Sequence, residues 1–428
     1  MTVPYQVVPA SSATAIGAAS VPIDGCRCCG ERHLRTVLEL GAIPLANRLL
    51  TRAEFDLPEP RFPLELVFCP RCTLAQITET VAPEILFRQY PYCSSVSEEL
   101  LAHSKRHVHE LIRTRHLGAD SLVVELASND GYLLQYFVQA GVPALGIEPA
   151  LNVAAIAEQR GVPTRTEFFT AALARSLRAE GIQADVVIGN NVLAHVADLN
   201  GFVHGAAEIL APGGIIRFEF PYVANLVDGT QFDTIYHEHL CYFSAHAIEH
   251  LANRHDLTLA DVAHVPVHGG SLRVMLAREA APEGRKRVEM LLTEERRRGM
   301  EGLPYYTQLG ERVARLREDL TALLKSLKQN GARIVGYGAS AKGAILLNYM
   351  GLGRDVLDYV VDRSSVKQGW FTPGTRLEIL EPERLLDDRP EYALLLAWNF
   401  ADEILRQQAP YRAVGGRFII PIPAVTIV

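Results

Sequence analysis

Two C-x-x-C pairs constrain this chain more than any other feature: Cys26 with Cys29 and, 40 residues on, Cys69 with Cys72. Each pair places two thiolates on one tight turn, and two such turns complete the tetrahedral shell of a zinc ion. Gly30, directly after the second cysteine, suits the backbone reversal that such a knuckle needs. Four protein ligands leave no open coordination position, so the expected Zn2+ is structural. Cys28 falls outside the set, because the adjacent cysteines 28 and 29 cannot form the turn between them. Of the seven cysteines, only Cys93 and Cys241 lie beyond the knuckle. A disulfide-stapled secreted fold would not run on into so long a cysteine-poor chain, which points to a cytoplasmic protein with one metal site.

The 428 residues suffice for two or three domains with buried cores. A net charge of −7 gives no general reason to expect nucleic acid as a partner. No apolar run reaches the roughly 18 residues of a membrane span, so a membrane partner is not expected either. Residues 1–23 lack the basic start and compact apolar block of a secretory signal and read as a disordered extension. Residues 24–88, cysteine-paired and short of helical periodicity, read as a small β-rich zinc module. Apolar runs then alternate with helix-length segments at 121–126 (SLVVEL), 142–148 (VPALGIE), 185–189 (DVVIG) and 214–220 (GIIRFEF). That alternation indicates a parallel sheet with crossover helices, a Rossmann-like α/β domain over 89–256. A second α/β pattern within 257–428 has strand candidates at 333–338 (RIVGYG), 357–362 (LDYVVD), 392–398 (YALLLAW) and 418–422 (FIIPI). Between the two, Val313, Leu316, Leu320, Leu323, Leu324 and Leu327 recur at helical spacing and read as the packing stripe of a structural helix.

Ligands of open α/β sheets bind at the carboxyl ends of the strands. The first such end here is 125–131 (ELASNDG), which lacks the full G-x-G-x-x-G pattern of a dinucleotide loop. Gly131 allows close backbone approach, Asn129 and Asp130 offer polar groups to an amino-acid moiety, and Glu148 after the second strand can accept two ribose hydroxyls. Asn190 and Asn191, after the 185–189 strand, lie across the same edge. Glu125, a glycine-bearing turn and Glu148 form the usual arrangement for S-adenosylmethionine; an unspecified nucleotide site is the other reading.

Downstream, Asp233, Tyr236, His237, Glu238 and His239 crowd titratable groups into seven residues. Histidine titrates near neutral pH, and a neighbouring carboxylate can orient it and raise its basicity. A tyrosine hydroxyl can donate to a developing enolate oxygen. The cluster alone also suits a structural network or a metal site.

The stretches 44–47 (PLAN), 69–72 (CPRC), 90–95 (YPYCSS), 125–131, 190–195 (NNVLAH), 236–244 (YHEHLCYFS), 268–273 (HGGSLR) and 336–343 (GYGASAKG) occur in this order over nearly the whole chain. In them the chain resembles the nucleotide-sugar (ketosugar) C-methyltransferases of deoxysugar biosynthesis. The resemblance implies an N-terminal zinc domain, a central S-adenosylmethionine-dependent methyltransferase domain and a C-terminal α/β domain, with a dTDP-linked 4-ketosugar held between domains in a monomer. It implies His239 as general base, Tyr236 and Glu238 as its close supports, and Tyr90 and His195 as walls near the donor methyl and the sugar. Methylation at carbon 3 follows from the resemblance alone, since carbon 5 is also alpha to a 4-ketone. The chemistry is coherent: a carbon next to a ketone is acidic enough to yield an enolate, which can attack a sulfonium methyl in line once both reactants are positioned.

In the C-terminal unit, 333–343 runs from a strand into a glycine-bearing turn and a helix start. Backbone N–H groups there, Ser340 and Lys342 could hold a diphosphate. Tyr337, Lys367 and Trp370 are further candidates for the nucleotide pocket, and the resemblance favours a thymidine diphosphate over NAD. An NAD-dependent dehydrogenase or epimerase is the enzyme alternative, but it leaves the upstream donor-type edge and residues 236–239 unexplained. A non-catalytic zinc-bearing binding protein would explain the knuckle and not that cluster.

Overall fold

A computed structural model describes residues 20–88, 93–267 and 269–428. Among these, nineteen strands, β1 to β19 in chain order, form four sheets. The N-terminal module is built on the antiparallel order β11-β4-β3-β2. Strands β2 (Arg35–Ile43), β3 (Phe62–Phe68) and β4 (Ala75–Ile77) come from the module itself. The edge strand β11 (Cys241–Tyr242) comes from far along the chain, Cys241 opposite Gln76 and Tyr242 opposite Ala75. The expected disorder of residues 1–23 is corrected at its end: β1 (Ser20–Pro22) pairs antiparallel with β5 (Glu79–Val81), whose backbone groups it satisfies.

The central sheet has the order β12-β13-β10-β9-β6-β7-β8. Its strands β6 (Val123–Leu126), β7 (Ala144–Ile147), β8 (Thr164–Arg165), β9 (Ala184–Asn190) and β10 (Leu210–Pro221) pair in parallel. β6 is buried throughout and β9 nearly so, because crossover helices cover both faces. One of the flanking helices, Glu98–Arg115, starts where the Ser97 side chain accepts from Leu100 N and two glutamates complement the dipole, and it buries Leu100, His103, Ser104, His107, Val108 and Leu111 along one face. The sheet does not stop at the expected limit of 256. β12 (Thr258–Val265) and β13 (Ser271–Ala277) return antiparallel and β13 pairs with β10 over 216–221, so these residues belong to the central sheet. An entirely parallel sheet is thereby corrected to a mixed one.

The C-terminal sheet has the order β16-β15-β14-β17-β18-β19, with β14 (Ile334–Tyr337), β15 (Val360–Val361), β16 (Ile379–Leu380), β17 (Tyr392–Leu395) and β18 (Arg417–Ile420) parallel and β19 (Thr426–Ile427) antiparallel. Leading into it, the helix Leu303–Gln329 buries Tyr305, Tyr306, Leu309, Val313, Leu316, Leu320 and Leu324. The Tyr306 ring lies 4.5 Å from that of Phe68 in β3, so the expected packing stripe meets the N-terminal sheet.

Candidate active site

The order of the central sheet reverses at β6: β7 and β8 lie on one side of it, β9 and β10 on the other. A crevice forms at such a switch point, and the β6 and β9 ends meet there. Backbone strain concentrates at this edge, since Ala127, Asn129 and Asn191 all hold positive φ. Gly131 also has positive φ, and a Cβ there would meet Val162 Cγ2 at 3.0 Å, so the domain's own core already requires glycine at this turn.

The edge is rich in acceptors that nothing among the described residues satisfies. Glu125 is buried with neither carboxylate oxygen bonded, and one oxygen each of Asp130 and Asn191 is likewise buried and unpaired. Burial, with Glu148 and Asp130 nearby, pushes the Glu125 carboxyl well above the usual range. Glu148 accepts from the amides of Asn129 and Ala150 at 2.8 Å each, and burial raises it to about 7. Its oxygens, expected to accept ribose hydroxyls, thus already hold the loop, with lone pairs to spare. Asn129 Oδ1 accepts from Ser94 N at 2.8 Å, and Asn190 Nδ2 lies 3.4 Å from the Tyr132 hydroxyl. Such an acceptor set fits a donor-rich cationic ligand carrying an ammonium and vicinal hydroxyls. Beside it, Arg88, Arg165, Glu167, Phe168 and Thr170 line a cavity of about 400 Å³ after β8. Sequence reasoning passed this loop over, although its place after a strand end was a signal.

Residues 233–242 run along the junction of all three units. His239 Nδ1 lies 2.9 Å from the Thr234 carbonyl, which can only accept, so Nδ1 carries the proton. Nε2 is then the basic nitrogen, and the Tyr236 hydroxyl donates to it at 2.8 Å. The His195 ring lies 4.9 Å from that of His239, and burial lowers its pKa to about 4. His195 is therefore neutral near pH 7 and does not oppose a proton on His239. Tyr90 lies outside the described residues.

Glu238 departs from its expected place as a support of His239. Its Oε1 accepts from Asn47 Nδ2 at 2.7 Å, while Oε2 is buried and unpaired. Burial raises this carboxyl to about 7. His237 Nε2 donates to the Pro63 carbonyl at 3.1 Å, and Ile77 N donates to the Leu240 carbonyl at 3.0 Å. The segment is thus fastened to the N-terminal module at three points before β11 begins. From the opposite side, Trp398 Nε1 donates to Asp233 Oδ2 at 2.6 Å. Burial raises Asp233 to about 6, against the opposing pull of the Lys342 charge and the indole donor.

Lys342 lies with its ammonium 4.9 Å from the Trp398 ring centre, on the side of Asp233. Ser340 caps its helix by accepting from Gly343 N at 3.1 Å, and Asp362 Oδ2 takes the Ala339 amide at 2.7 Å. Lys367 Nζ donates to the Ala339 carbonyl at 2.8 Å, so Ser340, Lys342 and Lys367 do gather around one loop. Tyr337 does not join them: it is buried against Phe418, its hydroxyl accepting from Gln408 at 3.1 Å, because alternation along β14 turns it to the other face.

The sulfurs of Cys26, Cys29, Cys69 and Cys72 lie within 4.8 Å of one another, with Cys28 outside the set. Hydrogen bonds from Cys69 and Cys72 hold the Cys26 thiol low while Cys69 is pushed up to about 12. All four become thiolates together only around a cation, which a closed tetrahedral zinc site provides.

Three family models match in tandem: a domain proposed to bind zinc over residues 26–87, a methyltransferase domain over 94–262 and a C-methyltransferase C-terminal domain over 266–423. With the acceptor-lined switch point, they define the class: an S-adenosylmethionine-dependent methyltransferase with a structural zinc. C-methyltransferase NovU from Streptomyces niveus is 37% identical over 408 residues, covering 95% of this chain and 97% of that protein. The chain belongs to this C-methyltransferase family. The ubiquinone biosynthesis O-methyltransferase of a Methylobacterium species is 32% identical over 114 residues, 24% of this chain and 45% of that protein. Among solved structures, magnesium protoporphyrin IX methyltransferase from Synechocystis with bound SAM is 15% identical, covering 42% of this chain and 79% of that one at a TM-score of 0.33. No helix among the described residues is long and apolar enough to cross a membrane.

Proposed function

We propose that the chain methylates the carbon alpha to the ketone of a dTDP-linked 4-keto-deoxysugar, at carbon 3, with His239 as the base. The observation that carries this reading is the His239 tautomer: with Nδ1 held by the Thr234 carbonyl, Nε2 is left as a proton acceptor in a half-buried position beside the donor edge. Glu125, Asn129, Glu148, Asn190 and Asn191 would hold S-adenosylmethionine, which supplies an electrophilic methyl. His239 Nε2 takes the proton from carbon 3, and the Tyr236 hydroxyl changes partner from Nε2 to the ketone oxygen as charge develops there. Neutral His195 packs the far side of the base and lets it charge. Ser340 and Lys367, with Lys342 behind them, would hold the nucleotide diphosphate. The choice of sugar nucleotide draws on the ordered motifs of the sequence and on the chain's length-wide likeness to a C-methyltransferase. A nicotinamide dehydrogenase fits less well, because Asp362 already takes the Ala339 amide in the C-terminal loop.

A turnover assay with S-adenosylmethionine and a dTDP-4-keto-2,6-dideoxy sugar in deuterated buffer tests this. A product heavier by one methyl, and deuterium entering at the alpha carbon before methyl transfer, are expected. His239→Asn should bind the donor within about twofold of the wild type yet lose turnover by about 10²–10⁴-fold. Methyl transfer that survives in this variant would remove His239 from the role of base.

A further inference from the structure

We propose that Asn47, from the zinc module, is a positioning residue of the methyl-transfer site: it pins one oxygen of Glu238 so that the other, Oε2, presents a proton to the substrate's oxygen. The inference rests on the reading of residues 233–242 as the reaction centre, and it adds to that centre a residue contributed by a different domain.

Asn47 lies four residues after β2, and its Nδ2 donates to Glu238 Oε1 at 2.7 Å across 191 residues of chain. Glu238 is 5 % exposed, and no other hydrogen bond to its carboxylate exists among the described residues. An ionised carboxylate so buried, with one oxygen bare, is costly. A neutral carboxyl is not, provided its carbonyl oxygen accepts and its hydroxyl finds a partner when ligand arrives. Asn47 breaks the symmetry of the two oxygens. An amide N–H can only donate, so the oxygen it meets is the carbonyl one and the proton is left on Oε2. A carboxylic acid kept neutral by its surroundings can donate to an oxyanion at neutral pH. Glu238 is next to His239 in sequence, with its backbone tied down on both sides by His237 and Leu240. The proton on Oε2 therefore has a fixed address, which the knuckle module sets. Tyr236 and Glu238 would then share the developing charge while His239 holds the proton it removed.

The test uses the zinc-loaded full chain and two substitutions, Asn47→Leu, which removes the donor at similar size, and the isosteric Asn47→Asp. The carboxylic-acid infrared band that disappears in Glu238→Gln is titrated in the donor-bound protein without sugar. The Asn47 amide favours the charged carboxylate, so its loss should move the midpoint of that band upward, further in Asn47→Asp, where a second carboxyl faces the first. In the turnover assay, kcat should fall about tenfold or more in both variants, with the limb of the pH profile that Glu238→Gln abolishes displaced in the same direction. Zinc content and donor affinity serve as fold controls and should stay at the wild-type level. Wild-type kcat together with an unmoved band would overturn the proposal. So would a fall in kcat with the band unmoved, since a merely structural contact behaves that way. If the wild-type chain turns over no ketosugar while the band still shifts, the substrate reading fails and the pairing of Asn47 with Glu238 stands.

Discussion

Glu148 is placed to serve structure and, in the proposed reading, ligand together. Its two oxygens hold the amides on either side of the crevice, Asn129 and Ala150, and burial raises its pKa to about 7. Ribose hydroxyls would donate to the charged form. As pH falls through 7 the carboxylate is protonated and that acceptor weakens, so donor affinity falls on the acid side. Calorimetric titration with S-adenosylmethionine should give a Kd about tenfold higher at pH 6 than at pH 8, and Glu148→Gln should flatten the dependence. A wild-type Kd that does not change over this range would take Glu148 out of the ribose contact. At this scale the sequence was informative wherever partners are close along the chain. Tyr236 and His239 are three residues apart and do meet, and the four cysteines carry their spacing openly. The partner of Glu238 was not legible, because Asn47 is a neutral residue in a loop and nothing local ties the two. Tyr337 was misassigned because a strand end names an edge, not a face.

Among the elements, β4 matters most for chemistry. It starts three residues after Cys72 and pairs with β11, which starts two residues after His239. A zinc ion held by the four cysteines would therefore sit one short ladder away from His239. Stripping zinc with a chelator should lower kcat by about 100-fold or more while the Kd for S-adenosylmethionine changes by less than about threefold, since the donor edge belongs to a different sheet; added zinc should restore turnover. Parallel loss of donor binding would show instead that the knuckle supports the whole chain. The apolar runs that became β6, β9, β10, β14 and β17 stood out because strands covered on both faces read as unbroken hydrophobic stretches. β11 has two residues and β12 and β13 carry Asp261, His264 and Arg273, so neither pattern announced a strand. That is why the central domain extends about twenty residues beyond its expected end.

For the molecule as a whole, residues 233–242 are a place where all three units touch. Trp398 closes this junction from the C-terminal side. Trp398→Phe keeps an aromatic ring but deletes the N–H that Asp233 accepts, and should destabilise the fold by about 1–3 kcal/mol in urea unfolding. The raised pKa of Asp233, about 6, sets the sign of the pH dependence. Below it the acid is neutral and misses the donor little; above it the charged form is left stranded, so the penalty should be larger at pH 8 than at pH 5. An equal penalty at both would argue that the indole acts through packing alone. The borrowed strand β11 has a consequence for how the chain is made. When the segment up to residue 88 has left the ribosome, the knuckle can close, but β4 still has an open flank, and its completing partner follows only after some 150 more residues have been synthesised. Until then the nascent chain carries a bare sheet edge ready to pair with a neighbour, so aggregation through this edge stays open until Cys241 and Tyr242 emerge.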